Sequence, residues 1–147
     1  MTGKVTAYYL HEHGDGPVVV RTPGEMDRLI DDLLTQPFDN SVCTMYSSAR
    51  PDRPNGFPDH EFAVAVNLED AVGGLWFTGD GASWYTLGGP SRHDQVFYYY
   101  MESERDFPHD SEIPLDLVRQ AAQEFLVTGG QRPTCVSWQR MPPSDLA

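Results

Sequence analysis

Residues 95–116 read QVFYYYMESERDFPHDSEIPLD: Tyr98, Tyr99 and Tyr100 in succession, then six carboxylates with only Arg105 among them. Two chemistries suit such a run. Tyrosines offer broad contact area at low entropic cost, and carboxylates steer a cationic partner and hydrogen-bond to it. Alternatively, carboxylates two apart on an extended segment share a face. Glu102 and Glu104, about 7 Å apart by strand rise, could then divide acid and base work on a small or sugar substrate. Adjacency of that kind is cheap in so acidic a chain, so binding takes precedence over catalysis here.

The charge is concentrated rather than spread. Residues 59–116 hold twelve acidic side chains against Arg92 and Arg105, and so carry −10 of the chain's net −12. Residues 1–58 carry −3 and residues 117–147 carry +1. A field of this sign repels nucleic acid and anionic membrane and favours a cationic protein partner.

Other candidate chemistries fall short of a full set of groups. His11-Glu12-His13 places two imidazoles at i and i+2, which share one face of a strand. An open zinc site needs three ligands and a closed one four. His60, His93 and His109 lie singly in loops, so His11 and His13 are read as solvated turn residues, with no metal and no cofactor. The zinc nucleobase deaminases pair H-x-E with P-C-x-x-C. Pro133-Thr134-Cys135 lacks the second cysteine and no H-x-E occurs, which excludes that activity for this chain. Ser/His/Asp or Cys/His catalysis stays open, although no serine sits in a G-x-S-x-G setting. Gly79-Asp80-Gly81 and Gly88-Gly89-Pro90 lack the G-K-[ST] ending of a phosphate loop and read as turns.

The elements that must position these groups follow from periodicity and punctuation. Val5–Leu10 and Pro17–Arg21 read as strands. Thr22-Pro23-Gly24-Glu25 reads as a helix start: a threonine cap, proline at the first position and glutamate at the third. Met26, Leu29, Ile30, Leu33 and Leu34 then recur at helical spacing until Pro37. Strands are predicted over Ser41–Ser47, Glu61–Asn67 (with apolar residues on both faces), Gly74–Thr78, Ala82–Leu87 and Gln95–Met101. A glycine turn joins the Gly74–Thr78 and Ala82–Leu87 pair. An acidic loop follows Met101. Pro114 opens a second helix with Leu117, Val118, Ala121, Ala122, Phe125 and Leu126 on one stripe, stopped by Gly129-Gly130. Thr134–Arg140 reads as a last strand before a frayed MPPSDLA tail. The expected fold is α+β, a mostly antiparallel β-sheet packed with two α-helices on one face, in a single domain over residues 1–147.

Alternation along Gln95–Met101 puts Phe97 and Tyr99 opposite Tyr98 and Tyr100, so one of the two sets belongs to the core. The functional set is whichever shares a face with the acidic residues. Trp76 and Trp84, on neighbouring predicted strands, face the same choice. Cys43 and Cys135, both placed in strands, are expected to be buried and reduced, and the opening MTGKVTAYYL lacks the pattern of a secretory signal. The expected location is the cytoplasm.

The stretches AYYLHEHGDGPVVVRTPGEMDRLID, PFDNSV, GFPDHEF, GDGASWY, VFYYYMESERDFPHDSEIPLDLVRQAAQEFL and GGQRPTCVSWQ together resemble the Imm-one family of bacterial immunity proteins. The resemblance runs from about Thr6 to Gln139. It implies a non-enzymatic antidote that binds the toxin domain encoded beside it, often a toxin that deaminates cytosine in DNA, and blocks it one-to-one. On that footing Tyr98 or Tyr100 with Trp84 would be the apolar anchors. Asp80, Glu102, Glu104, Asp106 and Asp110 would pair with arginines and lysines around the toxin's cleft. A carboxylate enzyme and a general nucleic-acid mimic remain as other classes.

Overall fold

The helix expected behind Thr22 forms over Pro23–Thr35 (α1), and its cap is the one the sequence announces. Glu25 N–H donates to Thr22 Oγ1 at 3.2 Å, while Glu25 Oε1 accepts from the Thr22 and Arg21 amides at 3.1 and 2.7 Å. These bonds satisfy amides that a helix start leaves without partners. The second helix, Leu115–Val127 (α2), buries Val118, Ala121, Ala122, Phe125 and Leu126. Gly129 and Gly130, both at positive φ, then carry the chain away. In this computed structural model, which describes residues 3–141, both helices lie on one face of the sheet, as expected.

The strands are Val5–Tyr8 (β1), Val18–Val20 (β2), Val42–Ser47 (β3), Glu61–Asn67 (β4), Val72–Gly79 (β5), Ala82–Thr86 (β6), Val96–Tyr100 (β7), Ser103–Phe107 (β8), Ile113–Pro114 (β9) and Trp138–Arg140 (β10). The main sheet runs β10-β6-β5-β4-β3-β1-β2, with β9 beside β5, and every pairing in it is antiparallel. Among the described residues β7 and β8 pair only with each other, forming a separate two-stranded sheet. The fold is therefore α+β with three layers: helices, main sheet, hairpin.

β4 occupies the middle of the sheet and is buried on both faces, which is why its sequence EFAVAVN shows no polar alternation. Phe62, Val64 and Val66 point toward the helices, where Phe62 stacks on Phe125 at 4.6 Å between ring centres. Ala63 and Ala65 point the other way and, with Val42, floor the seat of the hairpin. Fully burying such a side chain contributes roughly 1.5–3 kcal/mol, so the two apolar clusters hold the three layers together.

Several sequence expectations need correction. The acidic segment after Met101 is not a loop at first: Ser103–Phe107 is a strand. Cys135 lies half-buried outside any strand, because β10 begins only at Trp138. Burial and the nearby Glu124 push its thiol up to about 11. Cys43 is free and fully buried, and burial raises its thiol further. His11–Gly14 is a short 3-10 turn, and His13 is not solvated: its Nδ1 accepts from the Tyr9 and Leu10 amides at 3.1 and 3.0 Å. The expected frayed tail from Pro142 onward lies outside the described residues. Among the described residues no helix is long and apolar enough to cross a membrane.

Candidate functional site

Small residues make room for the hairpin. A Cβ at Gly74 would stand 3.0 Å from the Phe107 ring, and Ala63 and Ala65 leave similar space beside it. Val96, Tyr98 and Phe107 fill that space, with Trp76, Tyr85 and Tyr100 around them. The register then assigns every side chain of the hairpin to a face. Val96 stands opposite Phe107, Phe97 opposite Asp106, Tyr98 opposite Arg105, Tyr99 opposite Glu104 and Tyr100 opposite Ser103. Residues directly opposite share a face, so the face turned from the sheet carries Phe97, Tyr99, Glu104 and Asp106.

That face joins aromatic surface to carboxylates. Phe97 and Tyr99 are half-buried and their rings meet edge-on at 5.8 Å. Phe38, 40% exposed, extends the row by meeting Tyr99 at 5.9 Å. Glu104 and Asp106 stand exposed along the opposite strand. Asp106 hydrogen-bonds to Glu104 and holds its carboxyl above the usual range, as two like charges on one strand face must.

The strands are joined by the two-residue turn Met101-Glu102, with φ of 47° and 71°. Such turns match strand twist but favour Asn-Gly, since positive φ strains other residues. The β5–β6 turn obeys the rule with Asp80-Gly81 at 56° and 83°. At Met101-Glu102 the surroundings impose the geometry: Glu102 N–H donates to the Asp39 carbonyl at 2.8 Å, and Glu102 Oε1 meets His11 Nε2 at 3.2 Å.

Phe38 and Phe97 also line an open groove of about 910 Å³, between the end of α1, the turn after β4 and the segment leading into β7. Leu34 and Leu68 add apolar wall, Leu68 being 62% exposed, while Glu69, Asp70, Asp94 and Glu112 supply negative charge. Asp70 accepts from His93 at 2.6 Å, from Asn67 at 3.2 Å and from Arg92. The His93 hydrogen bond and the Arg92 charge hold its carboxyl below the usual range.

The residues expected to form the site separate. Tyr98 is 1% exposed and cannot be a surface anchor; its hydroxyl donates to Glu112, and burial together with that carboxylate raises its pKa. Tyr100 is half-buried, accepts from Thr44 Oγ1 at 3.2 Å and lies 5.4 Å beneath the Arg105 guanidinium. Trp84 belongs to the other face of the sheet, packed on the helix-side core with Arg132 4.0 Å over its ring. Asp80 pairs with Arg50 at 3.0 Å in a separate ion cluster with Asp59. Asp110 accepts from Gln139 at 2.9 Å and ties the loop after β8 to β10. Only Glu102, Glu104 and Asp106 remain together, at the turn and on the outward strand face. The pair on one face is Glu104 with Asp106, not Glu102 with Glu104, because Glu102 lies in the turn. Phe97 and Tyr99 complete the face, Phe38 extends it and Leu68 walls the adjoining groove; the first two were recoverable from parity once the turn was placed.

Among the described residues no group of three or more His, Cys, Asp or Glu side chains is arranged to hold a metal ion. The arrangement is suited to a protein contact: an aromatic centre, a carboxylate rim and an adjoining groove. No curated protein matches the chain. The profile of one family, Immunity protein Imm1, matches residues 14–140, which include both helices, the hairpin and every residue of the outward face. The chain belongs to the Imm1 family of immunity proteins.

Proposed function

We propose that this immunity protein neutralises a nucleic-acid-modifying toxin domain, a DNA cytosine deaminase, by covering its basic substrate cleft one-to-one in the cytoplasm of the producing cell, and performs no reaction itself. A cleft that holds DNA is lined with arginine and lysine to neutralise phosphates. The observation that carries the proposal is the shared outward face of Phe97, Tyr99, Glu104 and Asp106. It offers carboxylates where phosphates would lie, with an aromatic centre to exclude water. The concentration of −10 within residues 59–116 adds steering toward such a cleft.

The test is a titration of the toxin domain encoded beside this chain, read as cytosine deamination in DNA. Activity should reach zero at one equivalent and stay there at high salt, because the aromatic contacts are not screened. Full deamination in the presence of excess chain would remove the proposal. Inhibition that vanishes with salt and extends to unrelated basic proteins would instead identify a general nucleic-acid mimic.

A further inference from the structure

The β7–β8 sheet has two edges, and the chain treats them differently. On the β7 side, Ser41 N–H donates to the Tyr99 carbonyl at 3.0 Å and Tyr99 N–H donates to Ser41 Oγ at 3.1 Å. The backbone groups of Tyr99 therefore point away from β8. Tyr99 stands opposite Glu104, so this is a non-hydrogen-bonded pair of the antiparallel ladder, and the pattern alternates from there. The N–H and C=O of Glu104 and Asp106 must point away from β7, toward the other edge. The Asp106 carbonyl fits this, since it accepts from the Tyr85 hydroxyl at 3.4 Å.

Among the described residues no strand lies on that second edge: β8 pairs with β7 alone. Proteins usually blunt such edges with proline, a bulge or charge. Ser103–Phe107 contains no proline, and its register with β7 is unbroken over five residues. Its guard is charge, and Glu104 and Asp106 supply it with one sign on the outward face. An acidic strand is repelled there and a neutral one gains main-chain bonds alone, while a strand bearing cations at alternate positions would also meet both carboxylates.

We propose, on the footing of the immunity function above, that β8 receives an extended, arginine- or lysine-bearing segment of the toxin as a third strand. The Glu104 N–H and C=O make main-chain bonds to it, and its outward cations sit beside Glu104 and Asp106. Strand addition of this kind draws affinity from the main chain and selectivity from alternate side chains. The hydrogen bond to Asp106, and after it the neighbouring charge, raise the Glu104 carboxyl, and a cation seated between the two would favour both in the charged form.

The experiment uses the whole chain and the toxin domain encoded beside it. Hydrogen exchange at the Glu104 amide is compared in the free chain and the complex, alongside affinities of Glu104→Pro and Glu104→Gln. Proline removes an outward N–H without touching the hairpin's own ladder, and glutamine keeps that N–H while removing the charge. Strand addition is supported if the Glu104 amide becomes protected and Glu104→Pro binds about ten- to a hundredfold more weakly than Glu104→Gln. A complex in which the wild-type Glu104 amide exchanges as fast as in the free chain overturns it and leaves the immunity function standing, even if the proline variant fails to fold. Absence of any complex with the wild-type chain removes both.

Discussion

Tyr99 stands directly opposite Glu104 on the outward face of the hairpin, while its neighbour Tyr98 faces inward and is 1% exposed. Adjacent tyrosines thus have opposite duties. Tyr98→Ala should cost about 3–5 kcal/mol of stability, as large aromatic truncations in a core do. Tyr99→Ala should leave the melting temperature nearly unchanged and cost about 2 kcal/mol of toxin affinity, the scale of an interface hot spot. Thermal denaturation and titration calorimetry on the two variants separate these effects.

The Met101-Glu102 turn stores backbone strain that glycine would release. Glu102→Gly should raise stability by about 1 kcal/mol, the penalty an L-residue pays at positive φ. The lost contact with His11 offsets little of this, because the two side chains are 72% and 68% exposed. Urea denaturation checks the sign: a loss of stability would mean that the tip contacts outweigh the strain.

Gly74 governs how closely the hairpin seats. Gly74→Ala brings a methyl to 3.0 Å from the Phe107 ring and should destabilise the fold by about 1–3 kcal/mol, the usual cost of overpacking. Near-ultraviolet circular dichroism should show Tyr98 and Phe107 loosened while far-ultraviolet helix signal persists. An unchanged spectrum and stability would show that the layer adjusts freely.

His60 makes stability depend on pH. Its Nε2 accepts from the Ser47 amide at 2.8 Å and its Nδ1 faces Asp59 at 2.9 Å, so the ring is held neutral with the proton on Nδ1. Burial lowers its pKa below the ordinary 6.5, although Asp59 pulls the other way. The unfolded chain therefore takes up this proton first as pH falls. Stability should decline below about pH 6.5, down to the folded-state value, and the decline should be shallower in His60→Gln. Urea midpoints measured from pH 7.5 downward test this; identical slopes for both chains would exclude His60 as the source.

Much of the scaffold was legible because it obeys local rules. The Thr22–Glu25 cap, the two apolar helix stripes, the doubly buried β4 and the Asp80-Gly81 turn each follow from spacing alone. The site was harder to see. Met101-Glu102 is a poor turn sequence, so nothing local announces that Ser103–Phe107 folds back on β7. Without that return, Tyr98 and Tyr99 cannot be told apart, and Glu104 cannot be assigned to the face of Tyr99. Trp84 was misplaced for a related reason: strand parity says that Trp84 and Tyr85 face oppositely, but not which side carries the helices. Asp80 was legible as a turn residue, yet its Arg50 partner comes from thirty residues away.

The outward face of the hairpin is the surface on which inhibition should depend. The decisive measurement is the affinity for the toxin domain encoded beside this chain after Glu102, Glu104 and Asp106 are all changed to lysine, with the melting temperature followed in parallel. A loss of about a thousandfold or more at unchanged melting temperature is expected, in line with close charge pairs across a protein interface. Wild-type affinity in the folded triple variant would place the toxin on another surface and contradict the assignment.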